Sequence, residues 1–93
     1  MSQPEHPFKD LPEGAEVRPQ LWHIDHLGQR FTPYSIHFKP LYHCWISKRY
    51  DYWSAQLSSG FGGVISSEGP TPDAAFQALR QAVRDLANDL GVV

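Results

Sequence analysis

Cysteine is nearly absent: Cys44 stands alone in 93 residues. One thiol cannot close an intrachain disulfide, and small secreted scaffolds usually carry several, so the expected location is the cytoplasm. No apolar run approaches the roughly 18–20 residues that cross a bilayer, so no membrane association is expected. The opening "MSQPEHPFKDLPEG" lacks the apolar stretch of a secretion signal. A basic excess is missing too. Eight basic against ten acidic residues leave a net charge of -2. That argues against a binder driven onto nucleic acid by charge, although a local basic patch stays open. There are no internal repeats, no low-complexity tract, no paired carboxylates on one element, and no glycine-rich loop leading into a helix as a phosphate cradle requires.

Aromatics and apolar periodicity are what the chain does have. Three Trp, four Tyr and five Phe supply large side chains for one small core. At this length the core is marginal, and self-association or a partner would add burial. Pro4, Pro7, Pro12, Pro19 and Gly14 mark the first twenty residues. We therefore read residues 1–16 as a flexible proline-rich arm, with Phe8 and Leu11 exposed, and residues 17–93 as a single domain.

Alternation then predicts strands. In "LWHIDH" it places Trp22 and Ile24 inward, and Leu27-Gly28-Gln29 reads as a turn. In "RFTPYSIHFK", Tyr34, Ile36 and Phe38 share one face, opposite Ser35, His37 and Lys39, and Pro33 confines the run to an edge or bulge. "LYHCWIS" sets Tyr42, Cys44 and Ile46 against His43, Trp45 and Ser47. After a polar turn at "KRYD", "YWSAQLSS" sets Trp53, Ala55 and Leu57 against Ser54, Gln56 and Ser58. The last two runs form a hairpin with a loop of about four residues. "GFGG" (60–63) connects to a short strand, "VISS" (64–67).

Residues 71–91 carry several independent helix signals. Thr71 suits the N-cap, Pro72 the first helical position and Asp73 the positive end of the macrodipole. Phe76, Leu79, Val83, Leu86 and Leu90 recur as one apolar stripe, Asp73, Gln77, Arg80, Arg84 and Asn88 form the wet face, and Gly91 is a stop. The expected fold is α+β: an antiparallel sheet of three to four strands, five at most, with one C-terminal amphipathic helix packed on one face.

Chemistry is thinly signalled. His23 and His26 point to opposite faces of a strand, as do His43 and Cys44, so neither pair can chelate together. His23, Asp25 and His37 could share an outer face, but a zinc site needs convergent ligands with support behind them. Cys44 falls on the core side, as a small buried hydrophobe, and no serine has a base assigned. No catalytic residue, metal or cofactor is expected. The remaining signal is "HFKPLYHCWISKRYDYW" (37–53), where Lys39, Lys48 and Arg49 interleave with aromatics. Trp45 sits on the polar side beside His43. The expected binding residues are His43, Trp45, Lys48, Arg49 and Tyr50.

The stretch "YWSAQLSSGFGGVISSEGPTPDAAFQALRQAVRDLAND" (52–89) resembles the N-terminal domain of HicB-type antitoxins. The matching pieces are Trp53-Ser54-Ala55, Val64 to Ser67, Gly69-Pro70-Thr71-Pro72-Asp73-Ala74-Ala75, and Ala82. The resemblance implies a partial RNase H-like fold that binds and blocks a small RNA-cleaving toxin. RNase H chemistry needs clustered carboxylates, so the likeness carries no nuclease activity. The expected function is thus a non-catalytic protein-binding module, whose partner is a toxin-like RNase or a second copy of the chain as a homodimer. The alternative is a single-stranded nucleic-acid binder using sheet aromatics with Lys39, Lys48 and Arg49.

Overall fold

A computed structural model of the chain describes residues 6–38, 42–58 and 64–89. The glycine connector at 60–63, Lys39, Leu90 and the stop at Gly91 lie outside them, as do the side chains of Phe38 and Tyr42. Among the described residues, seven strands precede one helix: β1 (Glu16–Pro19), β2 (His23–Ile24), β3 (Arg30–Phe31), β4 (Tyr34–Phe38), β5 (Tyr42–Lys48), β6 (Trp53–Ser58), β7 (Val64–Gly69) and α1 (Pro72–Asp89). Five form an antiparallel sheet in the order β1-β4-β5-β6-β7. β2 and β3 pair only with each other, as a hairpin inserted between β1 and β4. The α+β architecture, with one C-terminal helix on one sheet face, is as the periodicity predicts.

Register explains which side chains meet the helix. Val17, Ile36, Cys44 and Leu57 lie in one cross-strand row, and Tyr34, Ile46 and Ala55 in the next. The period-two pleat puts both rows on one face. Ala75, Phe76 and Leu79 of α1 pack down on them to complete the core. Each large side chain buried there contributes on the order of 1.5–3 kcal/mol. The other face carries Glu16, His37, His43 and Ser58 in one row, and Arg18, Ser35, Trp45 and Gln56 in the next.

α1 starts as its sequence dictates. Thr71 Oγ1 accepts from the Ala74 N–H at 3.1 Å, capping the first turn. Gly69 closes the corner: a Cβ there would lie 2.6 Å from the Ala75 nitrogen, so only glycine lets the end of β7 approach the helix backbone this closely. The stripe is buried at Phe76 and Leu79, half-buried at Val83 and exposed at Leu86.

Four expectations need correction. Phe8 is not exposed but 6 % accessible, and it meets Tyr34 and Phe76 edge-to-face at 5.2 and 5.7 Å. Its neighbours are held by helix residues read as wet. Asp73 Oδ1 accepts from the Lys9 N–H at 3.0 Å, Gln77 Nε2 donates to the Lys9 carbonyl at 2.9 Å, and Arg80 donates to the Asp10 carbonyl. These bonds hold a proline-rich segment that makes few of its own. Second, Glu16–Pro19 forms a strand that no alternation announced. Third, β4 is not an edge. Pro33 is buried just before β4, where its carbonyl accepts from the Gln20 N–H at 2.9 Å, so its missing N–H falls at the end of the β1–β4 ladder and not inside it. Fourth, Trp22 and Ile24 do not point inward, for a reason that belongs to the hairpin itself.

Candidate functional site

The β2–β3 hairpin is built around Asp25. Its Oδ1 accepts from the backbone N–H groups of Leu27 and Gln29 at 2.9 and 2.8 Å, fixing the turn. Gly28 supplies the left-handed residue, with φ 79°. The other oxygen, Oδ2, accepts from Lys48 Nζ at 2.6 Å, and the Asp25 side chain is 2 % exposed. The Lys48 hydrogen bond, then that of Gln29, holds the Asp25 carboxyl below the usual carboxylate range. A second anchor is Phe31, edge-to-face with Trp53 at 5.8 Å, and a third is His26 against Tyr50 at 5.2 Å.

These anchors decide the parity. Asp25 and Phe31 reach the body of the domain, and His23 stands opposite Phe31 in register with their rings 5.8 Å apart. Ile24 pairs with Arg30 in the alternate position. The Arg30 guanidinium lies 4.3 Å over the Trp22 ring. Leu21, Trp22, Ile24 and Leu27 are therefore 79, 46, 59 and 64 % exposed. The alternation expected in "LWHIDH" does not translate into an inward and an outward face: both residues of β2 are exposed, and of the six only Asp25 is drawn in, by Lys48 and its own turn.

Between hairpin and sheet lie two open clefts. The larger, of about 550 Å³, is lined by Trp22, Arg30, Phe31, Tyr34, Lys48 and Trp53 among others. The smaller, of about 270 Å³, is lined by Asp25, His26, Phe31, Lys48, Arg49 and Tyr50.

The five residues expected to bind are divided between two places. Lys48, Arg49 and Tyr50 line the smaller cleft, where the four-residue loop after β5 is closed by the Arg49 N–H donating to the Tyr52 carbonyl at 2.8 Å. His43 and Trp45 sit on the sheet face turned from the helix. Trp45 is 38 % exposed between Ser35 and Gln56, so the segment before β4 does not cover it. His43 stacks on His37, with ring centroids 6.0 Å apart, and His37 Nε2 is hydrogen-bonded to Ser35 Oγ at 3.1 Å. Gln20 Nε2 donates to the same hydroxyl at 2.9 Å. His23, Asp25 and His37 do not share a face: Asp25 is consumed by Lys48, and His37 lies on the main sheet. Among the described residues, no group of three or more His, Cys, Asp or Glu is placed to hold a metal ion. Burial pushes the Cys44 thiol up to about 12, leaving it protonated at neutral pH.

Sequence reasoning missed the residues of the hairpin surface. The available signal was Asp25 followed by Gly28: an acidic turn residue able to cap its own loop, with a lysine elsewhere to pair it. The chain matches no family model, no curated protein and no solved structure. Among the described residues, no helix is long and apolar enough to cross a membrane.

Proposed function

We propose that this is a non-catalytic binding module that docks a protein partner on the β2–β3 hairpin. The observation that carries this reading is the exposure of Leu21, Trp22, Ile24 and Leu27 on a hairpin anchored by Asp25–Lys48 and Phe31–Trp53. Large apolar side chains held rigidly in water favour an apolar protein surface, and pre-anchoring lowers the ordering cost of binding. In line with the resemblance to HicB-type antitoxins, the partner is a small RNA-cleaving toxin, and the location is cytoplasmic. The test is co-expression with the product of the adjacent gene, followed by titration with Ile24→Lys and Leu27→Asp. Co-purification, with both variants losing at least about tenfold in affinity at unchanged circular dichroism, supports the reading. A neighbour that neither binds nor cleaves RNA removes the antitoxin version, and binding that ignores both variants removes the hairpin.

A second reading is single-stranded nucleic-acid binding in the larger cleft. Trp22 with Arg30, and Phe31 with Trp53, line it beside Lys48. The Asp25–Lys48 ion pair weighs against it, since that cation is already neutralised. Titration with oligonucleotides at low salt decides: affinity that falls steeply as salt rises supports this reading, and no binding excludes it.

A further inference from the structure

The two edges of the sheet are not equivalent. β1 carries several of the features that blunt an edge. It is four residues long, and Pro19, whose nitrogen faces away from β4, has no N–H. The Glu16–Arg18 ion pair, at 3.1 Å, lies along it. β7 has none of these devices. It runs six residues, "VISSEG", with no proline, no lysine and one charge, Glu68. Every second residue of an edge strand turns its N–H and C=O outward, and only another strand satisfies such a row in full.

We propose that the β7 edge is a self-association surface, on which a second copy of this chain pairs its own β7 antiparallel, making one continuous sheet across a twofold axis. Charge selects this arrangement. Parallel pairing would set the two Glu68 carboxylates side by side. Antiparallel pairing centred on Ser66 sets Glu68 opposite Val64 of the second copy and Ile65 opposite Ser67. The two carboxylates are then four residues apart along the strand, about 13 Å, which is beyond the screening length of roughly 8 Å at physiological salt. Opposed residues share a parity, so the helix-covered faces continue into one another. α1 packs chiefly on β7 and β6. Pairing at β7 therefore brings the two helices alongside each other on that face, and Leu86, 43 % exposed, is available on them. The interface is isologous, so it closes at the dimer and does not propagate, and the blunted β1 edge ends the sheet at both sides. This surface is separate from the hairpin and does not depend on what the hairpin binds.

Sedimentation of the whole chain over a concentration series tests the proposal. Wild type shifts from monomer to dimer mass below about 0.5 mM. Ser66→Lys, at an exposed position, sets two ammonium groups opposite each other at the axis and raises the dissociation constant at least about tenfold. Ile24→Lys in the hairpin leaves it unchanged. Ser66→Cys supplies a readout that survives if the lysine variant misfolds. Its two thiols face each other across the axis within disulfide reach, so mild oxidation yields a covalent dimer faster than for Ser58→Cys on the inner strand β6. Overturning results are a wild type that stays monomeric, a dimer that Ile24→Lys abolishes, a folded Ser66→Lys variant that dimerises as before, or equal cross-linking at both cysteine positions.

Discussion

Ile36 and Ile24 sit in similar alternating stretches, "YSIHF" and "LWHIDH", yet one is completely buried and the other 59 % exposed. Ile36 is on a five-residue strand with neighbours on both sides, and α1 closes over its face. Ile24 is on a two-residue strand whose orientation is set by a turn carboxylate and one phenyl ring. Apolar alternation thus dictates burial only where a strand is long enough and paired enough to offer a continuous face. On a short excursion, one buried ion pair can turn the apolar side outward.

The largest expected effect sharpens this contrast. Phe76→Ala removes the ring at the centre of the core and should cost about 3–5 kcal/mol in urea unfolding. Ile24→Ala should stay within about 0.5 kcal/mol, as exposed positions do. A comparable loss at both sites would mean that the hairpin is folded inward in solution. Next comes Gly69→Ala. Its methyl group would meet the backbone of Ala74 and Ala75, and displacing the start of α1 should cost about 1–3 kcal/mol with helix content preserved. Thr71→Ala deletes the cap to Ala74 and should cost about 1 kcal/mol by the same measurement.

The hairpin anchor gives the smallest change in global stability and the most local signal. Lys48 holds the Asp25 carboxyl below its unfolded value. The stabilisation is therefore complete above the unfolded pKa of about 3.9 and is lost as the pH falls through the depressed folded value. Acidification through that depressed value should release the hairpin, shifting tryptophan emission before far-ultraviolet circular dichroism changes. Asp25→Asn should show the same emission shift at neutral pH. Coincident transitions by both probes would mean that hairpin and core unfold as one unit, ending the contrast drawn above.

Much of the sheet was legible because its signals are local. Alternation in "YHCWIS" and "WSAQLS" named the face shared by Cys44, Ile46 and Ala55, and cap chemistry placed the start of α1 at Thr71. The candidate site was legible only in pieces. Lys48, Arg49 and Tyr50 were found as cations among aromatics, but their partners Asp25 and His26 lie more than twenty residues earlier, and nothing in the spacing announces the pair. Phe8 was misread for a similar reason: its prolines describe the backbone around it, while its burial comes from Tyr34 and Phe76.

The sequence by itself determined the class of fold, the capped helix with its Phe76–Leu79 stripe, and the inward face of the central strands. Those features follow from backbone sterics and from periods of 2 and 3.6, which neighbours along the chain already display. Tertiary structure alone decided which way the hairpin faces, that Phe8 joins the core, and that β1 and β7 form the two edges of the described sheet. Each depends on contacts between residues far apart in the chain, such as Asp25 with Lys48, Lys9 with Asp73, and Val17 with Ile36, whose free energy appears only once the chain has closed on itself.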